Sequence, residues 1–260
     1  RSVCSGSTSD SSGPTSRTGD MGRSTSASAP PIFFVEHPAT YLPERAYAID
    51  VVFGHFLGLP YEARCTGRSD VRIVAAENDG KELILPDILF QTPATDWLTP
   101  RSMPVEPLRT WQAPDWLASR IPGSPYIPAL YQDEVGGTAY EPEQCVRLDI
   151  DLLGGVFWFL TRYEEPATGA LDARGRFPAA ASLAYRHGLL GRPLVNEYVE
   201  VFWAALSLLW PSLERKRRVY RVAVSHDVDW PLFGRGRRPV ELARAMAGDV
   251  MRRREPGLAL

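Results

Sequence analysis

The chain has 260 residues, 44% hydrophobic and 23% charged, which is material for one large domain or two small ones. A formal net charge of −2 gives no global pull toward nucleic acid or an anionic membrane, so neither is expected as a partner. No apolar run reaches the roughly 20 residues of a membrane span, and Cys4, Cys65 and Cys145 lack the spacing of a zinc knuckle or a disulfide framework.

Residues 1–31 are mostly Ser, Thr, Gly, Arg, Asp, Ala and Pro, too poor in apolar side chains to order themselves, and a disordered tail is expected there. Met21-Gly22-Arg23-Ser24-Thr25-Ser26 formally fits a myristoylation pattern, but inside a low-complexity tract it reads as chance. The stretch has no apolar h-region of a secretory signal, and residues 1–20 read as upstream sequence or tail. A cytoplasmic location is therefore expected.

Order is expected from Ile32 onward. Pro43 opens a helix carrying Tyr47, Ile49, Val51, Val52, Phe56 and Leu57 and ending near Gly58 and Pro60. Tyr61–Cys65, Val71–Ala75 and Leu83–Leu89 read as extended, with a turn at Asn78-Asp79-Gly80, and together they predict a small sheet beside that helix. Residues 91–128, with Trp97, Trp111 and Trp116, read as an ordered but irregular connection.

Residues 148–163 predict a central buried helix with Asp149 and Asp151 in its first turn. Val195, Tyr198, Val199, Phe202, Leu206 and Leu209 place another helix between Pro193 and Pro211. Arg215-Lys216-Arg217-Arg218 reads as a solvated linker. Beyond it, alternation over 219–226 predicts a strand, and the spacing after Pro239 predicts a helix to 253. Strand, loop and helix are the repeat of an α/β barrel or layered sheet.

Chemistry concentrates at the end of that strand, in Ser225-His226-Asp227-Val228-Asp229-Trp230. Side chains two apart on a strand share a face, so Asp227 and Asp229 can hold a cation and move a proton together. The plainer reading is an Asp-x-Asp that caps a turn. Arg162, Glu164 and Glu165 read as a solvated helix end with ion pairs rather than a site, His187 as structural or turn-forming, and His37 and His55 as packing or surface residues.

Ser225-His226-Asp227-Val228-Asp229 resembles the first motif of the polysaccharide deacetylase (NodB-homology) family. Upstream, Asp151–Glu165, Gly175-Arg176-Phe177-Pro178, Tyr185-Arg186-His187-Gly188 and Arg192-Pro193-Leu194-Val195 are similar to the domain of unassigned role that precedes such deacetylases in bacterial proteins. The resemblance covers roughly residues 33–235. It implies an α+β accessory domain over 32–217 with a small sheet and long buried helices. The opening β-loop-α of an incomplete α/β barrel would follow over 218–260.

It further implies hydrolysis of N-acetyl groups on a carbohydrate polymer. Asp227 would be the general base and Asp229 a ligand of a divalent metal, zinc or similar. His226 stands where the family has an aromatic, and is an additional candidate whose role stays open. The family's later H-x-x-x-H is absent, since no histidine follows His226, so the 260 residues alone are expected to be inactive. Two other readings compete. One is a haloacid-dehalogenase-type phosphatase, against which Pro231 stands where that family favours Thr or Val. The other is a non-catalytic carbohydrate- or protein-binding module.

Overall fold

Alternation along Phe33–His37 buries Phe33, Val35 and His37 and leaves Phe34 and Glu36 half-exposed, so the first strand belongs to a sheet covered on one face. A computed structural model describes residues 32–217, 219–225, 227, 239–241, 244 and 247. The expected tail over 1–31 lies outside the described residues. The chain divides into two units, Arg1–Lys216 and Arg217–Leu260.

In the first unit, β1 (Phe33–His37) leads into α1 (Leu42–Ile49), a π-helical continuation over Asp50–Leu57, and then β2 (Tyr61–Cys65), β3 (Asp70–Ala75) and β4 (Glu82–Pro86). Next come β5 (Arg109–Gln112), α2 (Asp115–Ala118), β6 (Tyr126–Ala129), β7 (Ala139–Glu141) and β8 (Cys145–Arg147). The unit ends with α3 (Leu152–Leu160), α4 (Glu164–Thr168), α5 (Leu183–Arg186) and α6 (Leu194–Leu209). Six strands form one mixed sheet in the order β2-β1-β3-β4-β8-β7, parallel at β1–β2 and β4–β8 and antiparallel elsewhere, while β5 and β6 pair apart from it. The class is α+β, as expected.

The sheet is larger and α3 is shorter than the sequence predicts. β7 and β8 are three residues each, too short to leave a periodic signature. The stretch read as irregular contains the β5–β6 pair and α2. The helix predicted from 148 starts at Leu152, because Leu148 donates to the Ile84 carbonyl, Asp133 donates to the Asp149 carbonyl, and Gln132 bridges Ile150. Those backbone groups belong to extended pairing and are not available to a helix. Asp149 therefore sits outside α3, and Asp151 is its N-cap.

The core lies between the sheet and the helices. Phe33, Val35, Val71, Ile73, Leu83, Leu85 and Val146 are buried on one sheet face, α6 packs on β4 and β8, and α3 packs on α1 and α6. Phe53 joins the layers, its ring 6.3 Å from Phe33 and 5.3 Å from Phe202. Gly155 permits the α3–α6 approach, since a methyl there would overlap the Tyr198 ring. The opposite sheet face is polar. There Arg72 bridges Glu36 and Glu82, and Arg64 lies 3.2 Å over the Phe34 ring.

Arg215 corrects the linker reading. Its guanidinium binds both carboxylate oxygens of Glu200 at 2.8 Å and lies 5.1 Å over Trp203, while the Lys216 N–H donates to the Leu57 carbonyl at 2.7 Å. Arg215 and Lys216 are thus docked on α6 and on the π-helical segment.

In the second unit, the described residues 239–241, 244 and 247 are helical, in keeping with a helix from Pro239. The strand predicted over 219–226 is not formed among the described residues. Residues 219–225 carry no ladder, and Val219, Tyr220, Val222 and Val224 are between 70% and 89% exposed. A strand exists only by pairing its backbone with a neighbour, and no described residue of this unit supplies one. An incomplete barrel is accordingly not seen among the described residues.

Candidate functional site: a charged groove and the Asp-x-Asp segment

α3 stops in a way that places one arginine deliberately. Thr161 closes the helix, the Arg162 N–H donates to the Phe159 carbonyl at 3.4 Å, and the Tyr163 N–H donates to the Trp158 carbonyl at 3.1 Å. This is a Schellman cap, whose left-handed residue is usually glycine. Here it is Arg162, with φ of 55°, and a side chain in that conformation costs roughly 1 kcal/mol or more. The turn is anchored from below by buried Tyr163. Its hydroxyl donates to Ser102 Oγ and accepts the Leu98 N–H, both at 2.8 Å.

The next two residues divide their roles. Glu164 turns inward, accepting Ser182 Oγ at 3.0 Å and the Leu183 N–H at 2.7 Å, and so holds the start of α5. Glu165 accepts Nε of Arg162. Facing them is a closed loop in which the Asp172 carboxylate accepts the backbone N–H groups of Arg174 and Arg176 at 2.8 and 2.9 Å, and the Asp172 N–H donates to the Arg176 carbonyl. Gly175 supplies the positive φ of 71° that the turn requires. The two N–H donors, that of Arg176 first, hold the Asp172 carboxyl below the usual carboxylate range.

Between these walls is a cavity of about 580 Å³ lined by Arg162, Glu165, Leu171, Asp172, Arg176 and Phe177. The sequence reads Arg162, Glu164 and Glu165 together as a solvated helix end, which is corrected for Glu164, buried by its bonds to Ser182 and Leu183. Asp172 is not singled out there, and Phe177 stands only within a stretch that carries the family resemblance. The pair of Arg162 and Glu165 is real, but it forms one wall of a groove. Asp172 through Gly175-Arg176 carries a turn signal in the sequence. The left-handed backbone at Arg162 carries none.

A second polar cluster joins α5 to the loop before β5. Glu106 accepts Arg186 and lies 2.9 Å from Nε2 of His187, and the Arg186 guanidinium is the main cause that keeps the Glu106 carboxyl below its ordinary range. His187 is thus a tether between segments as well as the end of α5. The adjacent Val105 and Pro107 line a cavity of about 280 Å³ with Arg101, Arg109, Tyr131 and Gln132. His37 is buried with Nδ1 2.8 Å from the Pro38 carbonyl, and His55 is exposed, as packing and surface residues should be.

Of the Asp-x-Asp segment, Asp227 is described and exposed, while His226 and Asp229 lie outside the described residues. Among the described residues, no three His, Cys, Asp or Glu side chains converge as metal ligands. The described residues therefore do not by themselves make the divalent-metal site that the deacetylase resemblance implies, and no reaction step is derived through it. Among the described residues, no helix is long and apolar enough to cross a membrane.

No curated protein and no solved structure matches the chain. Residues 33–211 match a family of unknown function, DUF7033, spanning β1 to the end of α6 and including every residue of the groove. The chain belongs to that family.

Proposed function

We propose that residues 32–217 are the accessory domain of a metal-dependent polysaccharide deacetylase, and that 218–260 open its α/β barrel. The reading rests on one observation above the others. An apolar alternation at 219–225 runs directly into Asp227 and Asp229, shortly after the family match ends at residue 211. The exposed apolar side chains Val219, Tyr220, Val222 and Val224 support it, because such a segment gains stability only by pairing and packing in a sheet.

In this reading Asp227 removes a proton from water as it attacks the acetamide carbonyl, Asp229 would hold the divalent metal, and His226 is an additional candidate whose role stays open. The C–N bond breaks, acetate leaves and the sugar amine takes a proton. The substrate is an N-acetylated carbohydrate polymer and the location is cytoplasmic.

The two aspartates have separable roles, and zinc titration of the protein expressed from its native gene tests that separation. Asp229→Asn is expected to weaken zinc binding by at least about tenfold, whereas Asp227→Asn leaves it near the wild-type value. Equal zinc affinity in all three proteins would remove Asp229 from the site.

A further inference from the structure

We propose that the groove between the α3 cap and the 172–176 loop binds a saccharide that carries a carboxylate, a uronate-type sugar. It lies wholly in the first unit, and its argument uses nothing of the Asp-x-Asp chemistry.

The cavity of about 580 Å³ is within the range of small-ligand sites, roughly 300–1,000 Å³. Two guanidinium groups line it. Arg162 is engaged through Nε with Glu165, and Arg176 only through Nη2, at 3.4 Å from Asp172. Their side chains are 73% and 65% exposed, and their remaining N–H donors have no protein acceptor among the described residues. A guanidinium with a free fork matches a carboxylate in bidentate fashion.

The acids on the same walls select among anions. Glu165 and Asp172 balance the two arginines, so a phosphate dianion entering the groove meets two like charges nearby. A uronate sugar carries a single negative charge on each ring, so one carboxylate meets one fork while the ring hydroxyls give their hydrogens to the acids. The ring of Phe177 and the 68%-exposed Leu171 offer apolar surface to the C–H face of a pyranose.

The backbone supports the assignment of Arg162 to this task. Its left-handed φ of 55° would be relaxed by glycine, yet the position carries an arginine whose side chain lines the groove. Binding and stability should therefore respond in opposite senses to Arg162→Gly.

Calorimetric titration of the full 260-residue chain tests the proposal, with trigalacturonate as probe and triacetylchitotriose, inorganic phosphate and an acidic hexapeptide as competitors of other chemistry. Trigalacturonate is expected to bind at least about tenfold more tightly than the others, and more weakly as salt rises. Arg176→Gln and Arg162→Gly should each reduce that affinity about tenfold or more, with Arg162→Gly keeping or raising the Tm. Absence of trigalacturonate binding, unchanged affinity in a folded Arg162→Gly, or preference for phosphate or for the peptide would each overturn the proposal. None of these results bears on acetate release, so the groove and the deacetylase reading fail separately.

Discussion

Asp151 is 1% exposed, and three backbone N–H groups meet its carboxyl: Gly154 on Oδ1 at 2.8 Å, and Ile88 and Leu89 on Oδ2 at 2.9 Å. Burial, with the nearby Asp87 carboxylate second, pushes it up to about 6 against those donors. The folded value lies above the ordinary 3.8, so the folded state favours the protonated carboxyl. That contribution is full below pH of about 4 and is lost as pH rises through about 6, a loss of about 3 kcal/mol. Asp151→Asn does not titrate, and with its oxygen kept under the Ile88 and Leu89 N–H groups it turns its own NH2 toward the Gly154 N–H, donor against donor. Urea unfolding should find the variant less stable at pH 4, with the gap to wild type narrowing by pH 7. A gap that widens would reverse the sign argued here. Arg162→Gly belongs to the same scale. Removing a side chain from a left-handed cap should raise stability by about 0.5–1 kcal/mol, and a loss above about 1 kcal/mol would mean that the Arg162 side chain is structural.

At the scale of elements, α3 is short but central. Phe157 is buried among Tyr47, Phe90, Trp97 and Tyr163, with ring centroids 5.3–6.3 Å away. Phe157→Ala should cost about 3–5 kcal/mol in chemical denaturation. A cost under about 1 kcal/mol would remove α3 from the core. Gly155→Ala should cost about 1–3 kcal/mol, since the added methyl meets Tyr198 on α6. An unchanged stability would show that the helices can part freely.

These elements also show what a sequence can tell. Apolar spacing located α6 between Pro193 and Pro211, and alternation located β2, β3 and β4. It missed β7 and β8, and it started α3 too early because a bridge to Gln132 occupies Ile150. Residues 219–225 have the pattern of a strand, but pairing is a property of two segments and the pattern belongs to one. The groove was half legible. Arg162 and Glu165 were visible as a pair, yet only folding brings Asp172, Arg176 and Phe177 opposite them.

At the scale of the whole molecule, the two units carry different chemistry. The first holds the family domain, its core and a balanced, charged groove. The second carries Asp227 behind an exposed apolar segment. The reading that joins them is an accessory domain ahead of a deacetylase barrel, and its central claim is that Asp227 is the general base. Acetate release from an N-acetylated oligosaccharide, by protein expressed from the native gene, tests that claim most directly. Wild type is expected to release acetate, and Asp227→Asn to lose about a hundredfold or more of turnover, the usual contribution of a positioned base, while still binding zinc. Wild-type turnover in Asp227→Asn, or no acetate release by the native protein, would contradict it.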